Sequence, residues 1–266
     1  MMGELEYFLG FEIKQYQEGT FIKQYKYTQD MLKRFNMHEA KPMKTPMSTI
    51  IDLNPNLDGK EVEQKVSSLC ASRPDIMYSV GKCARFQASL RQSHFEAVKQ
   101  IFRYLVHTPN FGLWYPKGSI FQLIGYSDAD YAGEKTDRKS TSGGCQFLGR
   151  SLVCWSSKKQ NCIALSTTEA EYISAASCCA QFLWMRQTLK DYGVNFNKVP
   201  LLCDNESEIN IAYNPILHSK TKHIKIRHHF IQNHVDKGDI NLSYVSPRIN
   251  LPISSRRPLM SQGFEL

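Results

Sequence analysis

The chain has 266 residues, a length that allows one large domain or two ordinary ones. Hydrophobic residues make up 42% of the sequence, which is enough for a core and excludes wholesale disorder. Lys and Arg number 33 against 25 Asp and Glu, so the net charge is +8 at pH 7. This balance favours a polyanionic partner such as nucleic acid, although composition alone equally fits a merely basic surface.

The sequence does not resemble a membrane or secreted protein. No segment approaches the roughly 20 consecutive apolar residues that span a bilayer, and acidic residues interrupt the N-terminal segment early. The eight cysteines are too sparse for a disulfide scaffold, and none has C-x-x-C spacing. We therefore expect a cytoplasmic or nuclear protein with reduced thiols and no membrane partner.

The first part of the chain predicts a hairpin followed by helices. In chain order, the predicted elements are a hairpin (7–25), a helix (27–37), a mainly irregular segment (38–66) and two helices that open at Arg73 and Ser93. Three prolines within 38–66 favour the prediction that this segment is irregular. Pro74 suits a first helical turn, and Ser93 with Glu96 forms a capping box.

From residue 111 the pattern changes to short β-prone segments, a long helix, and then alternating strands and helices. The predicted strands are 111–115, 121–127, 144–148, 152–156, 199–203 and 240–245, and the predicted helices are 168–192, 206–213 and 223–235. This order is typical of an α/β domain of about 130 residues. We place its boundary with the preceding domain near residues 117–120.

Three carboxylates stand where an α/β sheet can gather a site. Asp128 follows strand 121–127, Glu169 opens the long helix and Asp204 follows strand 199–203. Such oxygen ligands suit Mg²⁺, and two ions about 4 Å apart serve phosphodiester hydrolysis. Ordinary alternatives stay open, because Asp204 can cap the next helix, and Glu169 and Glu171 can favour their helix dipole. Asp128 can equally be a solvated residue at a strand end.

A series of short motifs is more specific. In chain order they are Y-S-D-A-D-Y-A-G (126–133), D-R-K-S-T-S-G (137–143), W-S-S-K-K-Q (155–160), S-T-T-E-A-E-Y (166–172), C-D-N (203–205) and H-S-K-T-K-H-I (218–224). This series resembles the ribonuclease H domain of copia-type retrotransposon Pol polyproteins. M-G-E-L-E-Y-F-L-G and S-R-P-D-I-M, nearer the N-terminus, resemble the end of the same polyproteins' reverse transcriptase.

The resemblance implies a fold and a domain plan. Residues 118–245 would form a ribonuclease H-like α/β domain, with a mixed five-stranded sheet and flanking helices. Residues 1–117 would be a truncated α+β remnant of the reverse transcriptase, and residues 246–266 an irregular tail. The family's Tyr-Val-Asp-Asp polymerase motif does not occur in the chain, so we do not expect DNA synthesis from it.

The resemblance also implies an activity. Asp128, Glu169 and Asp204 match metal-binding carboxylates, which would use Mg²⁺, or Mn²⁺, to hydrolyse the RNA strand of RNA–DNA hybrids. The basic residues expected to contact phosphates are Arg138, Lys139, Lys158 and Lys159, with a solvated basic surface as the alternative. An intact retrotransposon polyprotein is a further partner that the resemblance suggests.

Lys225 departs from the family pattern. In H-I-K-I-R-H-H-F the family commonly has Asp or Glu at this position, which matches a fourth carboxylate of the metal site. The lysine removes that ligand and replaces a negative charge by a positive one. We therefore expect weak hydrolysis, or an inactive relic that retains at most nucleic-acid binding.

Overall fold

A computed structural model describes residues 6–48, 63–86, 92–118, 120–213 and 225–246. The chain divides into two units between Gly118 and Ser119. All but the first residue of the predicted tail, 246–266, lies outside the described residues, as does much of the predicted irregular segment 38–66. Among the described helices, none is both long and apolar enough to cross a membrane.

The first unit combines an antiparallel sheet with a group of helices. Its sheet has the strand order β1–β2–β3–β4. Its elements are β1 (Tyr7–Phe8), β2 (Phe11–Gln15), β3 (Gly19–Lys23), α1 (Tyr25–Arg34), α2 (Glu63–Leu69), α3 (Pro74–Ala84), α4 (Gln92–His107) and β4 (Gly112–Pro116). β2 and β3 form the predicted hairpin. The prediction of an irregular segment up to residue 66 is wrong at its end, because Val66 and Leu69 of α2 are buried in the helical core.

A buried ion pair anchors the start of α3. Arg73 is 1% exposed, and its guanidinium donates to the carboxylate of Asp75 at 2.7 Å. The same guanidinium donates to the backbone oxygen of Thr108 at 3.0 Å and to its hydroxyl at 2.7 Å. Because a buried charge is costly without partners, this network fixes the start of α3 against the chain that leaves α4.

The second unit is a mixed five-stranded sheet with flanking helices, as predicted. Its elements are β5 (Leu123–Asp130), β6 (Thr141–Leu148), β7 (Ser151–Lys159), α5 (Thr167–Asp191), β8 (Val199–Cys203), α6 (Glu206–Tyr213), α7 (Lys225–Asp236) and β9 (Ile240–Tyr244). The strand order is β7–β6–β5–β8–β9. β5, β6 and β7 pair antiparallel, whereas β8 runs parallel to both β5 and β9.

Three strands extend further than their β-prone sequences predicted. β5 continues to Asp130, β6 begins at Thr141 and β7 continues to Lys159. Thr141 pairs with Asp130 on one side and with Lys159 on the other, so ladder pairing includes these polar residues in the sheet. As a result, Asp128 and Lys158 lie within strands and not in the turns that follow them.

Helix α5 packs closely against the sheet. The ring of Phe182, which is 1% exposed, lies against Gly125 of β5. A Cβ atom at Gly125 would lie only 2.0 Å from that ring, so this close approach requires glycine. The contact holds α5 in place and thereby determines where the N-terminus of the helix meets the ends of β5 and β8.

Candidate metal centre

Asp128, within β5, and Asp204, directly after β8, occupy equivalent positions along two neighbouring parallel strands. Tyr126 of β5 pairs with Leu202 of β8. Asp128 lies two residues after Tyr126, and Asp204 lies two residues after Leu202. Because side chains alternate along a strand with a period of two residues, the register places the two carboxylates side by side. The structure thus brings together these two sequence-predicted residues.

The third carboxylate of the cluster is Glu171, from the second turn of α5. Asp128, Glu171 and Asp204 each offer one oxygen, and these three oxygens lie within 4.8 Å of one another. Glu171 is 7% exposed. Ser174, one turn further along α5, donates its hydroxyl to the backbone oxygens of Asp128 at 2.7 Å and Gly143 at 3.1 Å. Residues three apart share a helix face, so this contact directs Glu171 towards Asp128.

Glu169, which the sequence analysis assigned to the metal site, does not join this cluster in the part of the chain that the structure describes. Its backbone N–H donates to the hydroxyl of Ser166, the N-cap of α5, at 3.1 Å. Its carboxylate accepts the backbone N–H of Leu165 at 2.7 Å. In a standard capping box the glutamate side chain accepts the backbone N–H of the N-cap residue. Here the Glu169 carboxylate accepts the N–H of Leu165, the residue before the N-cap Ser166. The carboxylate that lies with Asp128 and Asp204 among the described residues is therefore that of Glu171 and not that of Glu169, and S-T-T-E was the sequence signal for the cap.

The cluster has the donor set and spacing of a divalent-cation site. Oxygens about 2.1 Å from an octahedral Mg²⁺ lie about 4.2 Å apart when they face each other across the ion. Neighbouring oxygens of such an ion lie about 3.0 Å apart, so three oxygens within 4.8 Å of one another would have to draw closer to share one ion. Carboxylate oxygens suit Mg²⁺ and Mn²⁺ alike, so the residues fit either metal.

Burial affects the pKa of one carboxylate of the cluster, that of Asp204. It raises the pKa of the half-buried Asp204, while a hydrogen bond from the residue's own backbone N–H acts in the opposite direction. A carboxylate that has lost part of its hydration gains from a bound cation. A cation bound by the cluster would thus stabilise the ionised form of Asp204.

Lys225 is the first residue of α7. Its side chain lies outside the described residues, so the prediction that it stands where a fourth carboxylate is expected stays a prediction.

The four predicted phosphate contacts lie at one end of β6 and β7. Arg138 and Lys139 precede β6, and Lys158 and Lys159 end β7. Lys159 Nζ lies 2.8 Å from the Asp137 carboxylate and Lys139 Nζ lies 4.0 Å from it. Arg138 and Lys158 are exposed, so these two side chains are the more accessible part of this basic patch.

Asp137 neutralises part of the basic patch. Partial burial acts to raise the pKa of Asp137, but the hydrogen bond from Lys159, the backbone N–H of Lys139 and the charges of both lysines hold it below its usual value. Asp137 therefore stays ionised at neutral pH and competes with phosphate for the two lysines.

Gln160 is a positioning residue that sequence reasoning missed. Its side chain is 5% exposed and donates to the backbone oxygen of Ala170 at 2.9 Å and to the hydroxyl of Ser142 at 3.0 Å. These bonds tie the end of β7 to β6 and to the first turn of α5. Gln160 closes the motif W-S-S-K-K-Q, but the motif alone did not indicate its contacts.

Pol polyproteins of transposons are among the chain's relatives. No protein-family model matches the chain. It is 38% identical over 98% of its length to the retrovirus-related Pol polyprotein from transposon RE1, and 36% identical over 98% to that from transposon RE2, both of Arabidopsis thaliana. It is 34% identical over its full length to the Pol polyprotein from transposon TNT 1-94 of Nicotiana tabacum.

The fold of this chain was compared with those of solved structures. The foamy viral protease–reverse transcriptase dRH in complex with ds DNA matches 90% of this chain and 37% of its own, with a TM-score of 0.50 and 12% identity. RNase H1 from Halobacterium salinarum NRC-1 matches 48% of this chain and 87% of its own, with a TM-score of 0.34 and 12% identity. At such identities a likeness concerns the fold alone.

The second unit has the ribonuclease H-like fold, with its mixed sheet and flanking helices. The chain as a whole belongs to the family of copia-type, retrovirus-related Pol polyproteins. It spans about a fifth of the length of the three Pol polyproteins named above, between 18% and 21%.

Proposed function

We propose that the second unit hydrolyses the RNA strand of RNA–DNA hybrids in a reaction that depends on a divalent metal. The observation that carries the proposal is the cluster of Asp128, Glu171 and Asp204, whose oxygens lie within 4.8 Å of one another. The ribonuclease H-like fold and the Pol polyprotein relatives support the same class of reaction.

The three carboxylates would hold Mg²⁺, with Mn²⁺ as an alternative. When bound, such a metal supplies an activated water and neutralises charge at the scissile phosphate. Asp128 and Asp204 hold it from the ends of paired strands, and Glu171 holds it from a helix that Ser174 bonds to β5. Ligands on rigid elements keep their geometry when the ion binds.

The basic patch would hold the nucleic-acid backbone. Arg138 and Lys158 are exposed and available to phosphates. Lys139 and Lys159 would have to leave the Asp137 carboxylate in order to contact a phosphate. The net charge of +8 supports a polyanionic partner. A larger Pol polyprotein is a second proposed partner, because the relatives are about five times longer than this chain.

Lys225 favours a second candidate function. If the family's fourth carboxylate is replaced by lysine, the site loses one ligand and gains a repulsive charge. The alternative is therefore a catalytically inactive relic of the retrotransposon that still binds nucleic acid.

Cleavage of a labelled RNA–DNA hybrid by the full chain separates these functions. The nuclease proposal predicts slow cleavage of the RNA strand in Mg²⁺, faster cleavage in Mn²⁺, and none with a chelator. Double-stranded DNA of the same sequence is the matched control and should stay intact. Binding of the hybrid without cleavage in either metal would support the relic, and cleavage that survives the chelator would contradict the metal site.

A further inference from the structure

The five-stranded sheet of the second unit has two faces, and its described helices pack on one of them. The core that α5, α6 and α7 form with the sheet contains alternate strand residues, such as Leu123 of β5, Leu201 of β8 and Leu242 of β9. Because side chains alternate along a strand, the residues between these point to the opposite face. Tyr126 and Leu202, on that opposite face, belong to neither hydrophobic core of the described residues.

The opposite face is apolar at its centre. Tyr126, Cys145 and Trp155 pair across β5, β6 and β7 and therefore form a row on it. The rings of Tyr126 and Phe147 pack edge to face, with their centroids 5.8 Å apart. Leu202 of β8 pairs with Tyr126 and extends the row towards β9. We call the surface that these five residues form the second face.

Two buried residues point to a cover on the second face. Cys145 is 0% exposed and Val245 is 8% exposed, although neither belongs to the core that the helices form. Val245 follows β9, and its backbone N–H donates to the backbone oxygen of Cys203 at 2.9 Å, which continues the parallel ladder. Since Val245 comes three residues after Leu242, its side chain has the direction of the second face. The chain thus leaves the sheet beside that face, at Ser246.

Residues 247–266 follow, and the first part of this segment has the sequence pattern of an extended chain with one apolar side. Ile249, Leu251 and Ile253 alternate with Asn250 and Pro252. A period of two residues is that of a strand, and proline interrupts a helix. The pattern therefore predicts three aliphatic side chains on one side of an extended segment.

The segment is long enough to cross the sheet. Neighbouring strands lie about 4.8 Å apart, and an extended chain advances about 3.3 Å per residue. A chain that crosses the strands from Ser246, beside β9, brings Ile249 over β5 after about 10 Å, because β8 is the one strand between β9 and β5. Leu251 then lies over β6, the strand of Cys145 and Phe147.

We propose that residues 247–253 form an extended strap that crosses the second face, with Ile249 packed against Tyr126 and Leu251 against Phe147. The strap is joined directly to β9, so its effective concentration at this face exceeds that of a separate partner. None of the five residues of the second face is charged, so a polyanion has no counter-charge to bind there. The strap is independent of the metal site and of any hydrolysis.

The test is alkylation of individual cysteines by a maleimide, followed by mass spectrometry, in the full chain and in a chain that ends at Ser246. Loss of the strap should accelerate alkylation of Cys145 by about tenfold or more, because a thiol reacts only where it is accessible. Cys154 is the internal control. It pairs with Gln146, whose side chain donates to Cys178 of α5, so it lies on the helix side of the sheet and should keep its rate.

Two variants of the full chain separate the strap from a general loss of stability. Leu251→Asp places a charge on the apolar side of the strap and should accelerate alkylation of Cys145, whereas Asn250→Asp, its neighbour on the other side, should not. Circular dichroism checks that each chain is folded at the labelling temperature.

Equal alkylation of Cys145 in Leu251→Asp and Asn250→Asp would overturn the strap. Protection of Cys145 that survives removal of residues 247–266 would also overturn it. Size-exclusion chromatography of the shortened chain would then show whether a second copy is the cover instead.

Discussion

The hydroxyl of Ser174 donates a hydrogen bond of 2.7 Å to the backbone oxygen of Asp128. Ser174 lies one helical turn beyond Glu171 on α5. This bond ties α5 to β5 at the point where the carboxylates meet. Two residues along a helix correspond to a rotation of about 200°, so Glu169 and Glu171 point to nearly opposite sides. Docking through Ser174 therefore places Glu171 in the cluster and leaves Glu169 to cap the helix.

The first prediction separates a metal ligand from a helix cap. Glu171→Gln should abolish hydrolysis of the hybrid, because a neutral amide replaces a charged ligand in the cluster. Glu169→Gln, the matched control two residues away, should retain parent activity. Hybrid affinity in a chelator should be nearly unchanged in both, since phosphate contacts dominate it.

Direct metal binding provides a second readout for this pair of variants. Calorimetric titration with Mn²⁺ should show weaker binding to Glu171→Gln than to Glu169→Gln. The reverse order would return the ligand role to Glu169 and refute the assignment of Glu171.

The second prediction concerns the buried ion pair of the first unit. Asp75→Ala should lower the free energy of unfolding of that unit by about 3–5 kcal/mol, because it leaves the Arg73 guanidinium buried without its carboxylate. Replacing both residues, as Arg73→Met with Asp75→Leu, should recover most of the loss. Denaturant unfolding measures both, and a loss below about 1 kcal/mol in Asp75→Ala would show that the pair is not buried as described.

The third prediction is a pH dependence at the end of α7. Partial burial acts to raise the pKa of Asp239, but hydrogen bonds from His234 at 2.6 Å and Arg186 at 2.8 Å hold it below its usual value. A lowered pKa in the folded state adds stability above the unfolded pKa of about 3.9, and this stability is lost as pH falls through the folded value. Asp239→Asn should therefore cost about 1–2 kcal/mol at pH 7.

The difference between parent and Asp239→Asn should shrink as the pH falls from about 4 through the lower pKa of the folded state, where the folded parent carboxylate becomes protonated. Thermal unfolding between pH 2.5 and 7 measures it. Asp236→Asn is the control, because Asp236 is exposed at the end of the same helix and should change little. A penalty in Asp239→Asn that does not vary with pH would contradict the charged network.

The sequence predicted the elements with a strong apolar pattern. The long helix expected at residues 168–192 lies at Thr167–Asp191, and the strand and helix expected at 199–203 and 206–213 lie at those residues. Hydrophobic periodicity and caps are local properties, so a single chain displays them directly.

Features that depend on pairing partners were not predictable in the same way. The polar end of β7, up to Lys159, becomes a strand only because β6 lies beside it. Arg73 was expected to open a helix, but its burial against Asp75 and Thr108 depends on the distant end of α4. The choice between Glu169 and Glu171 likewise depended on which helix face meets β5.

The most direct test of the proposed metal site is the Mg²⁺ dependence of hybrid hydrolysis by Lys225→Asp, measured beside that of the parent chain. The carboxylates of Asp128, Glu171 and Asp204 are present in both, so the variant removes the lysine charge and adds the ligand that the family pattern expects at residue 225. Lys225→Asp should cleave the RNA strand orders of magnitude faster than the parent, and adding Glu171→Gln should abolish this gain. Hybrid binding without cleavage by Lys225→Asp at any Mg²⁺ or Mn²⁺ concentration would contradict the proposed metal site.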